Sequence, residues 1–461
     1  MPKELATINS ITGIDTRHTA SANSMRGGKN FRTRGGALMT RPGCSIVETP
    51  FSTSVVSLFQ AGMPTKKTRL LAQEGTNLWQ RTESSWTKIK QNLTDGKTLR
   101  GCRFIDKLIL VNGSERLQYD IKNGTISSLV TGSDPIPELE YVITWKSRVW
   151  GWAPSKSNSN FIRFCGYDED DMIDPKVWPA DFTLDISRDS GSPILMAMPS
   201  INHLLVLAKN GFWQVYGDTE EDFSIQYGGA ACVVSPEVCN MVGNLIFWLG
   251  EERGKKTIYV YSGTSPVPIS GPIDDLLQKV SLDQVTSLSF LNQYWLVANE
   301  GPKSTVFVYD VEEKTWYIYE YPFNITCGSP FAEYRETETM IIGTKDMGLL
   351  ALDESPRDVT EPITTEFVFE LDAKSREFKS RTLHINAEPK RPFTLEIYLS
   401  ADGKEEQPVK YVSFDKAEGA VFKPTKLGRI KGRTCRIRIR STDRIEEIQE
   451  IGLVIKPRAV K

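Results

Sequence analysis

Three histidines, His18, His203 and His384, are the chain's entire supply of imidazole, and none has a second ligand at metal-binding spacing. A zinc site or a histidine general base is therefore disfavoured. The densest carboxylates are Asp168, Glu169, Asp170 and Asp171, followed by Asp174. They offer oxygen ligands of the kind calcium takes, but the ordered spacing and central glycine of an EF-hand loop are missing, and a solvated loop on a rim is the plainer reading. Arginines are the other conspicuous groups. Arg26, Arg32, Arg34 and Arg41 punctuate a Gly-doubled stretch over 26–36, and Arg436, Arg438 and Arg440 alternate near the other end. The Gly-Gly pairs are not flanked by strand and helix, so no phosphate loop is read there. These arginines suit phosphates or an acidic protein surface, and docking on protein is favoured. No catalytic, cofactor or metal residue is assigned.

The elements that must position these residues come as a repeat. Short runs with an aromatic or apolar core recur, led by residues 78, 117, 161, 212, 258, 306 and 349, with steps of 39, 44, 51, 46, 48 and 43. Near that period the all-β candidate is a propeller with one four-stranded sheet per unit. Strands of four to eight residues separated by Asn112-Gly113 or Asn210-Gly211 fit tight antiparallel hairpins. Six or seven blades are expected over 51–353, the last completed by the strand at Ser54 to Gln60 or shared with the first. Only Ile273 to Val280 reads as a short helix. The run Ser187-Arg188-Asp189-Ser190-Gly191 begins like the Asp-box turn of sialidase propellers, yet Pro193 stands where that pattern has Thr and no Trp follows.

Residues 1–50, rich in Ser, Thr, Gly and Arg and without apolar periodicity, read as an extended basic arm that orders only against a partner. A linker is expected at 354–362. Beyond it, alternation puts Phe393, Leu395, Ile397 and Leu399 on one face, predicting a C-terminal antiparallel β-sandwich or platform over 363–461. In its last strand Arg436, Arg438 and Arg440 share the opposite, outward face as a basic ridge. The net charge of −2 over 461 residues hides a segregation. Residues 1–43 hold seven basic against two acidic residues, and 374–461 hold 21 against 12, whereas 44–373 hold 28 against 44, a net −16. Seven scattered cysteines read as free, mostly buried thiols. No apolar run is long enough to span a membrane, and Met1-Pro2-Lys3-Glu4-Leu5 lacks a signal-peptide pattern, so a cytoplasmic origin is expected.

Several segments resemble tail proteins of short-tailed bacteriophages, the nozzle or tail-hub family that includes packaged-DNA stabilisation proteins. They are the Gly-rich arm ending in Arg41-Pro42-Gly43, Arg148-Val149-Trp150-Gly151, Asp174-Pro175-Lys176-Val177-Trp178, 210–218, Gly243-Asn244-Leu245-Ile246-Phe247-Trp248-Leu249 and Leu399-Ser400-Ala401-Asp402-Gly403. The motifs run in order along nearly the whole chain and none is catalytic. The resemblance implies a virion-tail protein assembled in the host bacterial cytoplasm as a ring, commonly sixfold, below portal and adaptor. Such a ring conducts and helps retain double-stranded DNA and mounts fibres, spikes, a plug or a needle. The arginines named above are then candidates for subunit docking, and Asp168, Glu169, Asp170, Asp171 and Asp174 for an acidic rim or lumen that lets DNA slide. On this reading, removing residues 1–43 leaves a folded propeller that assembles poorly. Two other classes stay open. One is a propeller that binds or cleaves glycans, with carboxylates and aromatics in a pocket on its axis; the other is a monomeric protein-interaction hub.

Overall fold

The computed structural model describes residues 4–21, 23–51, 53–63, 66–82, 85–129, 136–332, 338–372, 377–406 and 409–457. Each recurring run of the sequence is the third strand of an antiparallel sheet: Asn77–Thr82, Arg116–Asp120, Phe161–Phe164, Gly211–Tyr216, Lys255–Tyr261, Lys303–Asp310 and Leu349–Asp353. These strands sit in mid-sheet between two paired neighbours, each with at least one fully buried apolar residue, which is why their apolar cores recur. First strands of successive sheets pack together: Arg100–Phe104 on Tyr141–Trp145, Tyr141–Trp145 on Ile194–Pro199, and Asn240–Val242 on Val285–Phe290. Ile325–Phe331 then packs on both Val285–Phe290 and Val55–Met63, which closes the circle. The result is a seven-bladed β-propeller with the first strand of each blade innermost.

Blade 7 is completed by Gly43–Val47, which pairs antiparallel with Leu349–Asp353 from Leu349↔Val47 to Asp353↔Gly43. The strand over Ser54 to Gln60, one of the two ways the sequence offered to complete it, is instead part of the innermost strand of blade 1, Val55–Met63. The expected linker at 354–362 is not a free connector either. Arg357–Asp358 and Glu361–Pro362 extend the blade-7 sheet past Gly43–Val47. The expected helix is a single turn, Asp274–Leu277, entered through the 3-10 turn Gly271–Ile273.

The C-terminal domain is a sandwich of two sheets, and both contain strands from the start of the chain. One sheet runs Val421–Gly432, Phe378–Ala387, Ile448–Pro457, Ala37–Thr40, Phe31–Arg34, with Glu4–Asn9 also paired to Ile448–Pro457. The other runs Gly27–Lys29, Thr365–Asp372, Thr434–Ser441, Phe393–Ala401, Lys410–Phe414. The predicted alternation holds, with Phe393, Leu395, Ile397 and Leu399 buried.

The first fifty residues are thus no arm awaiting a partner. The described residues of this segment make backbone hydrogen bonds inside the chain, and its apolar residues Ile8, Ile11, Ile14, Met25, Phe31 and Leu38 enter one core shared with blades 4–7 and the sandwich. Phe31 shows how, meeting Tyr317 of blade 6 edge-on at 5.9 Å and Phe367 of the sandwich at 6.4 Å. The Gly content that reads as disorder serves close approach. Gly28 has φ 131°, and a Cβ there would stand 2.3 Å from the Glu366 carbonyl oxygen.

Candidate functional site

Arg41, the residue that ends the Gly-rich segment, lies at the joint between propeller and sandwich with no exposed surface. Its guanidinium is fully engaged. Nε donates to Asn30 Oδ1 at 2.9 Å, Nη2 to the Glu320 carbonyl at 2.7 Å, and Nη1 to the Pro42 carbonyl and to Asp358 Oδ1, each at 2.8 Å. A second, shorter contact joins Nη2 to the same carboxylate, and the Tyr321 ring lies 3.9 Å from the guanidinium carbon. Burial opposes the charge, but Tyr321 and Asp358 outweigh it and push the Arg41 pKa further up. Burial also pushes the Cys44 thiol up, with the Asp358 charge adding to it, so this thiol is an inert neighbour. Asp358 comes from the segment read as a linker, so Arg41 ties together the N-terminal segment, the edge of blade 6 and the end of blade 7. A role for Arg41 in docking a neighbour is excluded by its burial.

The other predicted docking arginines separate into tied and open ones. Arg26 donates to the carbonyls of Arg17 at 2.7 Å and of Asp15 and Ala20 at 3.3 Å, closing its own loop. Arg32 pairs with Glu354 at 3.4 Å. Arg34 is exposed. Arg436, Arg438 and Arg440 share the outer face as expected, but the ridge is not purely basic. Thr365–Asp372 sets Glu366 opposite Arg440 and Glu370 opposite Arg436, and Phe393–Ala401 sets Glu396 opposite Arg440. Arg438 is held by Glu406 at 2.9 Å and Glu366 at 3.3 Å over the Tyr398 ring, 4.0 Å away. These hydrogen bonds, the ones it donates to Glu406 above all, keep it firmly charged. Strand neighbours carry this compensation, and they are remote in sequence.

The acidic run lies in the connection between the third and fourth strands of blade 3, Phe161–Phe164 and Thr183–Asp185. Asp168 Oδ1 accepts from the amides of Asp170 at 3.0 Å and Met172 at 2.9 Å, and Asp174 Oδ1 accepts from Lys176 at 2.9 Å. Asp168 and Asp174 therefore build the turn, while Glu169, Asp170 and Asp171 are exposed. Among the described residues no group of three or more His, Cys, Asp or Glu is placed to hold a metal ion. His203 is buried and bonded to the Tyr261 hydroxyl at 2.7 Å, and His384 stacks on Phe422 at 4.8 Å. All seven cysteines are unpaired.

Two further features escaped the sequence. Arg100 and Tyr141 open the innermost strands of blades 2 and 3, and both reach Glu237, which precedes the innermost strand of blade 5. Blades 2 and 5 face each other across a seven-membered ring, so this contact crosses the axis. Tyr141 donates to Glu237 Oε1 at 3.0 Å, and Arg100 pairs with the same oxygen while lying 4.5 Å from the Tyr141 ring centre. Burial works to raise the Glu237 pKa, but Arg100 and the Tyr141 hydroxyl prevail and it is lowered. Where the glycan alternative predicts an axial pocket of carboxylates and aromatics, an ion pair joins Arg100 to Glu237. The second feature is a cleft of about 620 Å³ between blades 3 and 4, where Trp213 and the exposed Tyr227 meet edge-on at 5.4 Å beside Asn210, Asp189 and Ser190. It contains the Asp-box-like run, whose Ser187 hydroxyl donates to the Ser192 carbonyl at 2.7 Å.

No protein-family model and no curated protein matches this chain. Among solved structures it is similar to BBS1N, crystallised in complex with ARL6DN, at 11% identity and a TM-score of 0.44 over 69% of this chain and 99% of that one. It is also similar to the extracellular domain of a putative one component system from B. thetaiotaomicron, at 10% identity and a TM-score of 0.45, covering 89% of this chain and 62% of that one. Among the described residues no helix is long and apolar enough to cross a membrane.

Proposed function

We propose that the chain is a structural subunit of a bacteriophage tail, a nozzle or hub protein that closes into a ring around double-stranded DNA and mounts other tail parts. The observation that carries this reading is the joint. The residues that look most like chemistry, Arg41 above all, lock a propeller to a sandwich through a segment threaded into both. A component that transmits force between neighbours needs such a joint. The segregation of charge between the acidic 44–373 and the basic 374–461 supplies complementary faces for a head-to-tail ring. Docking then falls to exposed groups such as Arg34 and Arg436, since the N-terminal segment is used within the subunit. Portal or adaptor proteins, fibres or spikes are the partners this role calls for, in the virion tail, with DNA passing unread.

Electron microscopy with mass determination of the purified protein, alone and mixed with a portal and adaptor complex, tests this. Closed rings with a bore wide enough for duplex DNA are expected. Monomers in both samples would overturn the proposal. The cleft beside Trp213 and Tyr227 supports a second reading, glycan binding, because aromatics set next to carboxylate and amide groups suit a sugar's apolar and hydroxyl faces. On that reading Tyr227→Ala abolishes binding on a glycan array and leaves assembly untouched.

A further inference from the structure

Antiparallel strands that run outward from the axis place the first-to-second and third-to-fourth turns of every blade on one face of the propeller, and the remaining connections on the other. On the first of these faces the innermost turns carry Ile105 in blade 2, Ile201 in blade 4 and Leu291 in blade 6, exposed by 75%, 67% and 70%. These turns ring the axis, because they end the innermost strands. Met172, 65% exposed, adds an apolar tip in the outer turn of blade 3.

Two of the tips are also strained. Phe104-Ile105-Asp106-Lys107, Val242-Gly243-Asn244-Leu245 and Phe290-Leu291-Asn292-Gln293 are matched turns, closed by the pairs Phe104↔Lys107, Val242↔Leu245 and Phe290↔Gln293. The first turn residue has φ 53° at Ile105, 59° at Gly243 and 52° at Leu291. Glycine is the ordinary occupant of that position, and a β-branched side chain there is an outlier. The fold needs neither the side chain nor its exposure at these points, which leaves both free to serve a contact beyond the subunit.

The surroundings define the occupant. Among the described residues, the turns of this face contain fourteen acidic and four basic side chains, including exposed Glu169, Asp170 and Asp171 in blade 3 and the Asp218, Glu220, Glu221 and Asp222 group in blade 4. Such a surplus repels nucleic acid and attracts cationic protein. We infer that this face of the propeller is a docking surface for a protein partner presenting apolar side chains bordered by Lys and Arg, with the tips over the axis as anchors and the acidic turns as the rim. The inference stands whether or not the chain forms a ring.

A fluorescein-labelled amphipathic peptide of Leu and Lys, and its counterpart with Glu in place of Lys, test it by anisotropy titration against the full chain. The Lys peptide is expected to bind saturably and to be released by salt, and the Glu peptide to stay free. The triple variant Ile105→Gly, Ile201→Ser, Leu291→Gly should weaken the Lys peptide by roughly tenfold or more while melting no lower than the parent. Equal binding by parent and variant, or equal binding of both peptides, would overturn the inference. Should the triple variant unfold, Asp170→Asn with Asp171→Asn and Glu221→Gln takes its place. It must cut affinity by roughly threefold, and unchanged affinity counts against the inference. A parent that self-associates where the triple variant is monomeric would show that a second copy covers this face, which also overturns it.

Discussion

Two residues carry expectations precise enough to test singly. Arg41→Ala leaves Asp358 charged and buried without its partner, and takes one donor each from Asn30 Oδ1 and the Glu320 carbonyl. Breaking a buried pair in this way costs about 3 to 5 kcal/mol. Urea denaturation of the purified variant should show that loss, and a change below about 1 kcal/mol would mean that the joint is held elsewhere. Glu237 sets a pH dependence. Its carboxylate, ordinarily titrating near 4.5, is depressed in the folded chain despite burial, through Arg100 and Tyr141. Its contribution is therefore complete above 4.5 and is lost as pH falls through the lower folded value. Parent and Glu237→Gln should differ in melting temperature at neutral pH and converge in acid. A gap that widens in acid would reverse the sign argued here.

At the scale of elements, the N-terminal strands behave unlike a detachable arm. Deleting residues 1–43 removes Glu4–Asn9, Phe31–Arg34 and Ala37–Thr40 from one sandwich sheet and Gly27–Lys29 from the other. It also takes Arg41 and the first residue of the strand that closes blade 7. The truncated chain is expected to lose the sandwich, seen as rapid proteolysis beyond residue 363, whereas the sequence alone predicts a folded propeller that assembles poorly. A protease-resistant truncation would contradict this. The propeller was legible because seven mid-sheet strands repeat with an apolar core, and the sandwich because Phe393, Leu395, Ile397 and Leu399 alternate. The N-terminal strands were not. They are two to six residues long, their buried positions fall at irregular intervals, and the strands that tie Glu4–Asn9, Gly27–Lys29 and Ala37–Thr40 into the sandwich lie hundreds of residues away. The basic ridge misled for a related reason, since the carboxylates beside Arg438 come from other strands. The apolar tips carry no periodic signal at all.

For the whole molecule, one apolar core runs from blades 4–7 through the N-terminal strands into both sandwich sheets. Propeller and sandwich should therefore melt together, in a single calorimetric transition whose enthalpy matches its van't Hoff value. Two resolved transitions would show that the joint is weaker than its packing implies. The pairing of Ile8 with Ile451 has a consequence for how the chain is made. At about 5 to 20 residues per second, a ribosome takes roughly 20 to 90 seconds to bring the later strand out after the earlier one. Throughout that interval Glu4–Asn9 lacks the edge it pairs with, beside a Gly- and Arg-rich stretch whose sandwich partner, Thr365–Asp372, is also made late in the chain. Chains released early would keep their first strands unpaired, so completion of the sandwich doubles as a check that synthesis has run through residue 457.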